Sequence, residues 1–101
     1  MNDTIDLHVE KLAVQFRGRV NPLLLSAHEK FLFQMECFRG FYSDALRKNQ
    51  MRIRIVHGSG TGKLKSEIRK FLSEQSEVKD IRDGFPYEGG EGMTIITFRV
   101  R

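Results

Sequence analysis

The feature that most constrains the fold is a strand that runs directly into a glycine-rich turn and then a helix. Met51-Arg52-Ile53-Arg54-Ile55-Val56 alternates, which turns Met51, Ile53 and Ile55 toward a core and Arg52 and Arg54 away from it. His57-Gly58-Ser59-Gly60-Thr61-Gly62 follows at once, and behind it Leu64, Ile68, Phe71 and Leu72 keep the spacing of a short amphipathic helix. A strand, a glycine turn and a helix in succession begin a strand-helix-strand unit, whose crossover is right-handed and whose strands pair in parallel.

The rest of the chain supplies matching elements. Thr4-Ile5-Asp6-Leu7-His8 alternates, with Ile5 and Leu7 on one face and Asp6 and His8 on the other. Lys11 to Val20 reads as a connection ending at Asn21-Pro22, a helix N-cap followed by proline at the first helical position. From Pro22 to about Lys48, Leu24, Ala27, Phe31, Met35, Phe38, Tyr42 and Ala45 mark one face of a long helix, which Gly40 weakens locally. Leu25, Leu32, Phe33 and Phe41 lie off that stripe, extra apolar surface suited to covering a second element or forming a homodimer contact. Val78 to Arg82 is a weaker strand, Asp83 to Gly92 a turn-rich loop, and Met93 to Val100 a strongly β-prone closing strand.

The order is therefore β-α-β-α-β-β. Both early strands keep a polar side, so the helices should cover one face of the sheet and leave the other open. This predicts an α/β two-layer sandwich with Asp6, His8, Arg52 and Arg54 on or near the open face. At 101 residues and 40% hydrophobic, the chain has the size of one domain with a modest core. No apolar run reaches about 18 residues and no signal-peptide layout opens the sequence, so a cytoplasmic protein without a membrane partner is expected. Cys37 has no second thiol to pair with and reads as a core residue.

Charge is unevenly placed. Eight Lys/Arg lie between Arg47 and Lys70 against one acid, Glu67, while the remainder of the chain carries nine basic and twelve acidic residues. A polyanion would be drawn to the middle of the chain. The glycine turn there is neither a Walker loop, since position 57 is His and Leu64 follows Lys63, nor a dinucleotide fingerprint, since position 63 is Lys rather than Gly. What remains is a phosphate cradle from Gly58, Ser59, Gly60, Thr61 and Gly62, whose small residues let backbone N–H groups approach an anion at a helix start, with Lys63 and Lys65 beside it. Asp6 and His8 share a strand face, and they and His57 end neighbouring parallel strands, where α/β sheets gather ligands. Carboxylate and imidazole beside a phosphate cradle suit phosphodiester cleavage, with a base for the nucleophile and positive groups for the phosphate. The spacing of Asp6, His8 and His57 is too loose for a zinc motif, and His28 is assigned no role.

These residues carry a family resemblance. Ile5-Asp6-Leu7-His8 resembles the Leu-Asp-Leu-His motif that opens Smr (small MutS-related) domains, and residues 57–62 match their His-Gly-x-Gly-x-Gly loop at every fixed position. Glu88-Gly89-Gly90-Glu91-Gly92-Met93-Thr94-Ile95 is similar to their glycine-rich approach to the last strand. The resemblance implies a fold like the C-terminal domain of translation initiation factor 3, with a mixed four-stranded sheet and two helices on one side. It also implies that residues 1–101 form one Smr domain of a kind that commonly ends longer proteins. Smr domains include endonucleases that nick DNA or cleave RNA, some at stalled ribosomes, and domains that only bind; the Asp-x-His form resembles the cleaving members. Smr domains usually carry glycine after the first histidine, where this chain has Val9, and that bulkier residue predicts narrower access to His8.

The expected activity is an endonuclease, RNA ahead of DNA, with Asp6, His8 and His57 as catalytic residues. Two histidines flank the phosphate site, so an RNA 2′-hydroxyl could be deprotonated without a metal, whereas DNA would call for a water and a divalent ion, Mg or Mn, at Asp6. Aromatic residues are scarce on the polar strand faces, so binding should be electrostatic and largely independent of sequence. The alternatives are a non-catalytic nucleic-acid or ribosome-binding module, and a protein-interaction domain of a larger polypeptide.

Overall fold

The computed structural model describes residues 3–15, 21 and 24–100. The alternating segments become strands whose faces follow their parity: β1 (Thr4–Asp6), β2 (Arg52–Val56), β3 (Val78–Asp83) and β4 (Met93–Phe98). Their order in the sheet is β1-β2-β4-β3. β1 pairs with β2 in parallel, and β4 is inserted antiparallel between β2 and β3. One edge therefore collects the C-terminal ends of β1, β2 and β3 together with the start of β4, and every candidate site residue but Arg52 and Arg54 lies along or just beyond that edge.

Three helices cover one face: α1 (Val9–Gln15), α2 (Ala27–Arg47) and α3 (Lys63–Ser73). Ile5 and Leu7 from the first strand region, Leu12 of α1, Met35, Phe38, Tyr42 and Ala45 of α2, and Ile68 and Leu72 of α3 join Ile53, Ile55, Ile96 and Phe98 in one buried cluster. Its centre is aromatic, with Tyr42 5.2 Å from Phe71 and 5.7 Å from Phe98, ring centroid to centroid, and edge-on to both. The Tyr42 hydroxyl donates to Glu77 Oε1 at 2.6 Å, so its polar end is satisfied. Cys37 packs against this cluster, and burial pushes its thiol up to about 11, as a core role requires. Among the described residues no helix is long and apolar enough to cross a membrane.

Two sequence expectations are corrected. The stretch from Lys11 to Val20 begins inside α1; that helix has seven residues with only Leu12 fully buried, too short a pattern for periodicity to register. The long helix does not start at Asn21-Pro22. Asn21 is not helical, Pro22 lies outside the described residues, and Leu24 is 79% exposed rather than part of the buried stripe. The N-cap is Ser26, whose hydroxyl accepts from Glu29 N–H at 3.1 Å while Glu29 Oε1 accepts from Ser26 N–H at 2.8 Å. This reciprocal pair satisfies two backbone donors and fixes the start of the helix.

The face away from the helices is not bare. Arg54, Ile95 and Arg82 are register partners across β2, β4 and β3, and Ile95 is only 1% exposed between the two arginines. Arg54 pairs with Asp3 at 2.9 Å and Arg82 with Glu88 at 3.5 Å, so the arginine stems shield the isoleucine while their heads are held by acids.

Gly40 sits exposed in the middle of α2, and a Cβ built there meets nothing within 4 Å. Gly40→Ala should therefore stabilise the domain by about 1 kcal/mol through helix propensity alone. A denaturant midpoint that fails to rise would show that this helix position is constrained by something other than backbone entropy.

Candidate functional site

The outer side of the sheet edge is built by Asp6, His8 and the first glycine of the loop. Asp6 ends β1 facing away from the core, and one oxygen, Oδ1, accepts both the His8 backbone N–H at 2.9 Å and His8 Nδ1 at 2.6 Å. A carboxylate oxygen only accepts, so Nδ1 carries the proton and Nε2 presents its lone pair outward. Nε2 lies directly over Gly58: a Cβ there would come within 3.0 Å of it. Gly58 also has φ +80°, so its lack of a side chain serves both the turn and the histidine. His8, Val56, Gly58 and Ser59 line an open cleft of about 410 Å³ whose far wall is Glu88, Gly89, Glu91, Gly92 and Met93.

His57 belongs to the other side. Ile55 faces the helices, Val56 faces the cleft, and His57 returns to the helix side, 8% exposed. Its Nδ1 donates to the carbonyl of Gly58 at 2.8 Å, which leaves Nε2 as acceptor for the Thr94 hydroxyl, also at 2.8 Å. Thr94 Oγ1 in turn accepts from Arg69 Nε and Nη2 at 3.3 and 3.2 Å, and Arg69 Nη2 reaches Asp83 at 2.5 Å. Lys65 shares that carboxylate at 3.1 Å. Burial lowers the pKa of His57 from its ordinary value; the Gly58 carbonyl opposes this, and the cations of Lys65 and Arg69 add to it. The hydrogen bond from Lys65 is the main reason that Asp83 titrates below the usual carboxylate range. His8 and His57 therefore lie on opposite faces of the sheet edge, with the loop backbone between them.

The remaining candidates are dispersed. Ser59, Gly60 and Thr61 are exposed at the loop tip, and Gly62 caps α3 with φ +84° and no side-chain cap bond, while Thr61 Oγ1 accepts from Lys63 N–H at 3.3 Å. Lys63 is exposed, its ammonium 4.4 Å from the Phe31 ring centroid. Arg54 sits one row back from the edge in its pair with Asp3. Arg52, at the start of β2, is four residues from its loop end, about 13 Å at strand rise, and takes no part in the cleft. Among the described residues no three His, Cys, Asp or Glu side chains gather into a set that could hold a metal ion. Arg69, Asp83 and Thr94 were not foreseen; they meet only through the register of β3 with β4, although Thr94 lies within the glycine-rich approach noted in the sequence.

Comparison with known proteins places the chain in a family. The family model of the Smr domain matches residues 34–99. The chain belongs to the Smr family. Among curated relatives of this Smr domain, the endonuclease MutS2 of Geobacillus kaustophilus is 34% identical over 94 residues, 93% of this chain and 11% of that protein. The endonuclease MutS2 of Aquifex aeolicus is 41% identical over 56 residues, 55% of this chain and 7% of that protein. The chain thus spans about a tenth of the length of such relatives. The crystal structure of the Smr domain of Thermus thermophilus MutS2 superposes with a TM-score of 0.69 at 24% identity, covering 97% of this chain and 99% of that one. YdaL, a stand-alone small MutS-related protein from Escherichia coli, gives a TM-score of 0.60 at 20% identity over 97% of this chain and 65% of its own. The mixed four-stranded α/β architecture is that of Smr domains, with α1 as a third helix. In this Smr domain Val9, the departure from the family pattern, is the half-buried first residue of α1.

The lowered His57 value makes a prediction about stability. On unfolding, His57 returns to an ordinary value of about 6.5, so as pH falls below that point the unfolded chain takes up a proton that the folded chain refuses. The stabilisation is present above this value and is lost as pH falls toward the lower folded one. Thermal midpoints should drop between about pH 7.5 and about pH 5.5, and drop less in His57→Gln. An equal drop in that variant would assign the acid sensitivity elsewhere.

Proposed function

We propose that this Smr domain binds the phosphate backbone of nucleic acid and cleaves it, RNA in preference to DNA, with the Asp6–His8 pair as its catalytic centre. The observation that carries this reading is the aim of His8: Asp6 holds Nδ1 and the backbone together, and Nε2 points over Gly58 into the cleft. On an RNA substrate, His8 Nε2 takes the proton of a 2′-hydroxyl, the oxygen attacks the adjacent phosphorus, and the bond to the 5′-oxygen breaks, that oxygen leaving as a hydroxyl with a proton from water while His8 returns its own to solvent, which gives a 2′,3′-cyclic phosphate. Backbone N–H groups of residues 59–62 and the Lys63 ammonium hold the phosphate, the Gly58 N–H being taken by the Gly92 carbonyl. His57 then serves as the tie that fixes the loop, since both its ring nitrogens are occupied. The names of the MutS2 relatives, which are endonucleases, support the reaction class.

The test uses labelled single-stranded RNA and DNA, with divalent metal or with chelator, and compares the parent with Asp6→Asn and His8→Ala. RNA should be cut in chelator to 2′,3′-cyclic ends, and each variant should lose about 100-fold or more of the rate, the typical share of a positioned base. A 5′-phosphate formed only with metal would reject this route, and undiminished cleavage by both variants would remove the pair from the chemistry.

The two lysines should separate in a binding measurement. Lys63→Ala removes a phosphate contact, so the slope of log affinity against log salt should fall by about one. The fold should be unaffected, because no acid among the described residues pairs with Lys63. Lys65→Ala also strips a cation from Asp83 and should lower the thermal midpoint as well. Identical behaviour of the two variants would contradict the separate positions of these side chains.

A further inference from the structure

The loop between β3 and β4 carries an aromatic surface that the cleavage chemistry leaves unused. Phe85 and Tyr87, on either side of Pro86, stack with centroids 5.6 Å apart and planes within 11°. The Arg82 guanidinium lies over the Phe85 ring at 4.5 Å. Tyr87 is nevertheless 86% exposed and Phe85 50% exposed. The platform is held firmly: Glu88 Oε1 accepts from Phe85 N–H at 2.9 Å, the Phe85 carbonyl accepts from Glu88 N–H at 2.7 Å, and Glu88 also pairs with Arg82. Glu88, the residue after Tyr87, is a wall of the same cleft that His8 and Gly58 line. A flat ring at the rim of a site for a phosphate backbone, one side on its neighbour and the other in water, has the form of a base-stacking surface.

We infer that Tyr87, backed by Phe85 and Arg82, stacks an unpaired nucleobase of the strand whose phosphate enters the cleft, so that this domain prefers single strands. The inference rests on the backbone-binding reading above. Any base offers a π-face, so the platform is indifferent to sequence; bases inside a duplex keep their faces within their own stack, so it is selective for unpaired ones. The aromatic rings lie on the loop, not on the strand faces where the sequence pattern directs attention.

Fluorescence anisotropy at low salt, with the full chain and four probes, tests it. The probes are a short single-stranded RNA, its DNA counterpart, the same backbone with abasic sites, and a blunt duplex. Tyr87→Leu should weaken binding to the base-bearing single strands by roughly tenfold, leave the abasic strand and duplex unchanged, and be rescued by Tyr87→Phe. Phe85→Leu should act in the same direction. Equal losses on the abasic strand, or none on any probe, would overturn the stacking role; in the second case the pair stiffens the loop or meets a protein. Parent protein that binds abasic and base-bearing strands equally overturns the platform alone, whereas parent that binds no probe overturns the backbone-binding reading and the platform with it.

Discussion

Two backbone donors, the amides of His57 and Gly58, converge on the carbonyl of Gly92 at 3.1 and 3.0 Å, and this stitch positions the site. It joins the end of β2 to the start of β4 just where the ladder between them would otherwise stop. With the loop fixed there, Gly58 lies under His8 on one side and His57 reaches Thr94 on the other. The close approach that needs a glycine is that of Gly58 to His8, where a Cβ would stand 3.0 Å from Nε2. The glycines of this region thus serve proximity between two chain segments as well as the path of a turn.

Electrostatically, four of the eight cations clustered in the sequence, Arg47, Arg54, Lys65 and Arg69, pair with acids among the described residues. Asp83 holds Arg69 and Lys65 and Asp3 holds Arg54, so both acids come from outside the basic stretch. An excess of charge in one part of a chain is therefore not an exposed patch of the same size. Of the mid-chain cations singled out for a phosphate, Lys63 at the head of α3 and Arg52 at the start of β2 have no acid partner among the described residues, and Lys63 rests against Phe31.

Much of this was legible in the residues because it depends on parity. Alternation placed Ile53 and Ile55 inward and Asp6 and His8 together outward, and the parallel pairing of β1 with β2 followed from the intervening helix. Parity also contained a fact that inspection of the motifs passed over: counting onward from Ile55 sends His57 to the helix side, away from His8. The short α1 offered one buried leucine and no period. The true helix cap was a visible Ser26-x-x-Glu29 pattern that Asn21-Pro22 outcompeted on appearance. The Thr94, Arg69 and Asp83 partnership could not be read locally, since it is made by β3 lying beside β4 at a register no single segment encodes.

The Asp6–His8 pair is mounted at the end of a three-residue strand at the margin of the sheet, bonded to a neighbour on one side only. Such a margin is the part of a sheet that opens first, and its local free energy can be far below that of the whole domain. Among the described residues its fastenings are Ile5 and Leu7 in the core, the ladder to β2 with the Leu7 N–H on the Val56 carbonyl and the Arg54 N–H on the Asp3 carbonyl, both at 2.8 Å, the Gln34 amide on the Leu7 carbonyl at 2.8 Å, and the Asp3 carboxylate on Arg54. Detaching β1 would scatter the carboxylate and the imidazole while β2, β4 and β3 stayed paired. The proposed chemistry would thus be lost by local opening, with the aromatic centre of the core still packed.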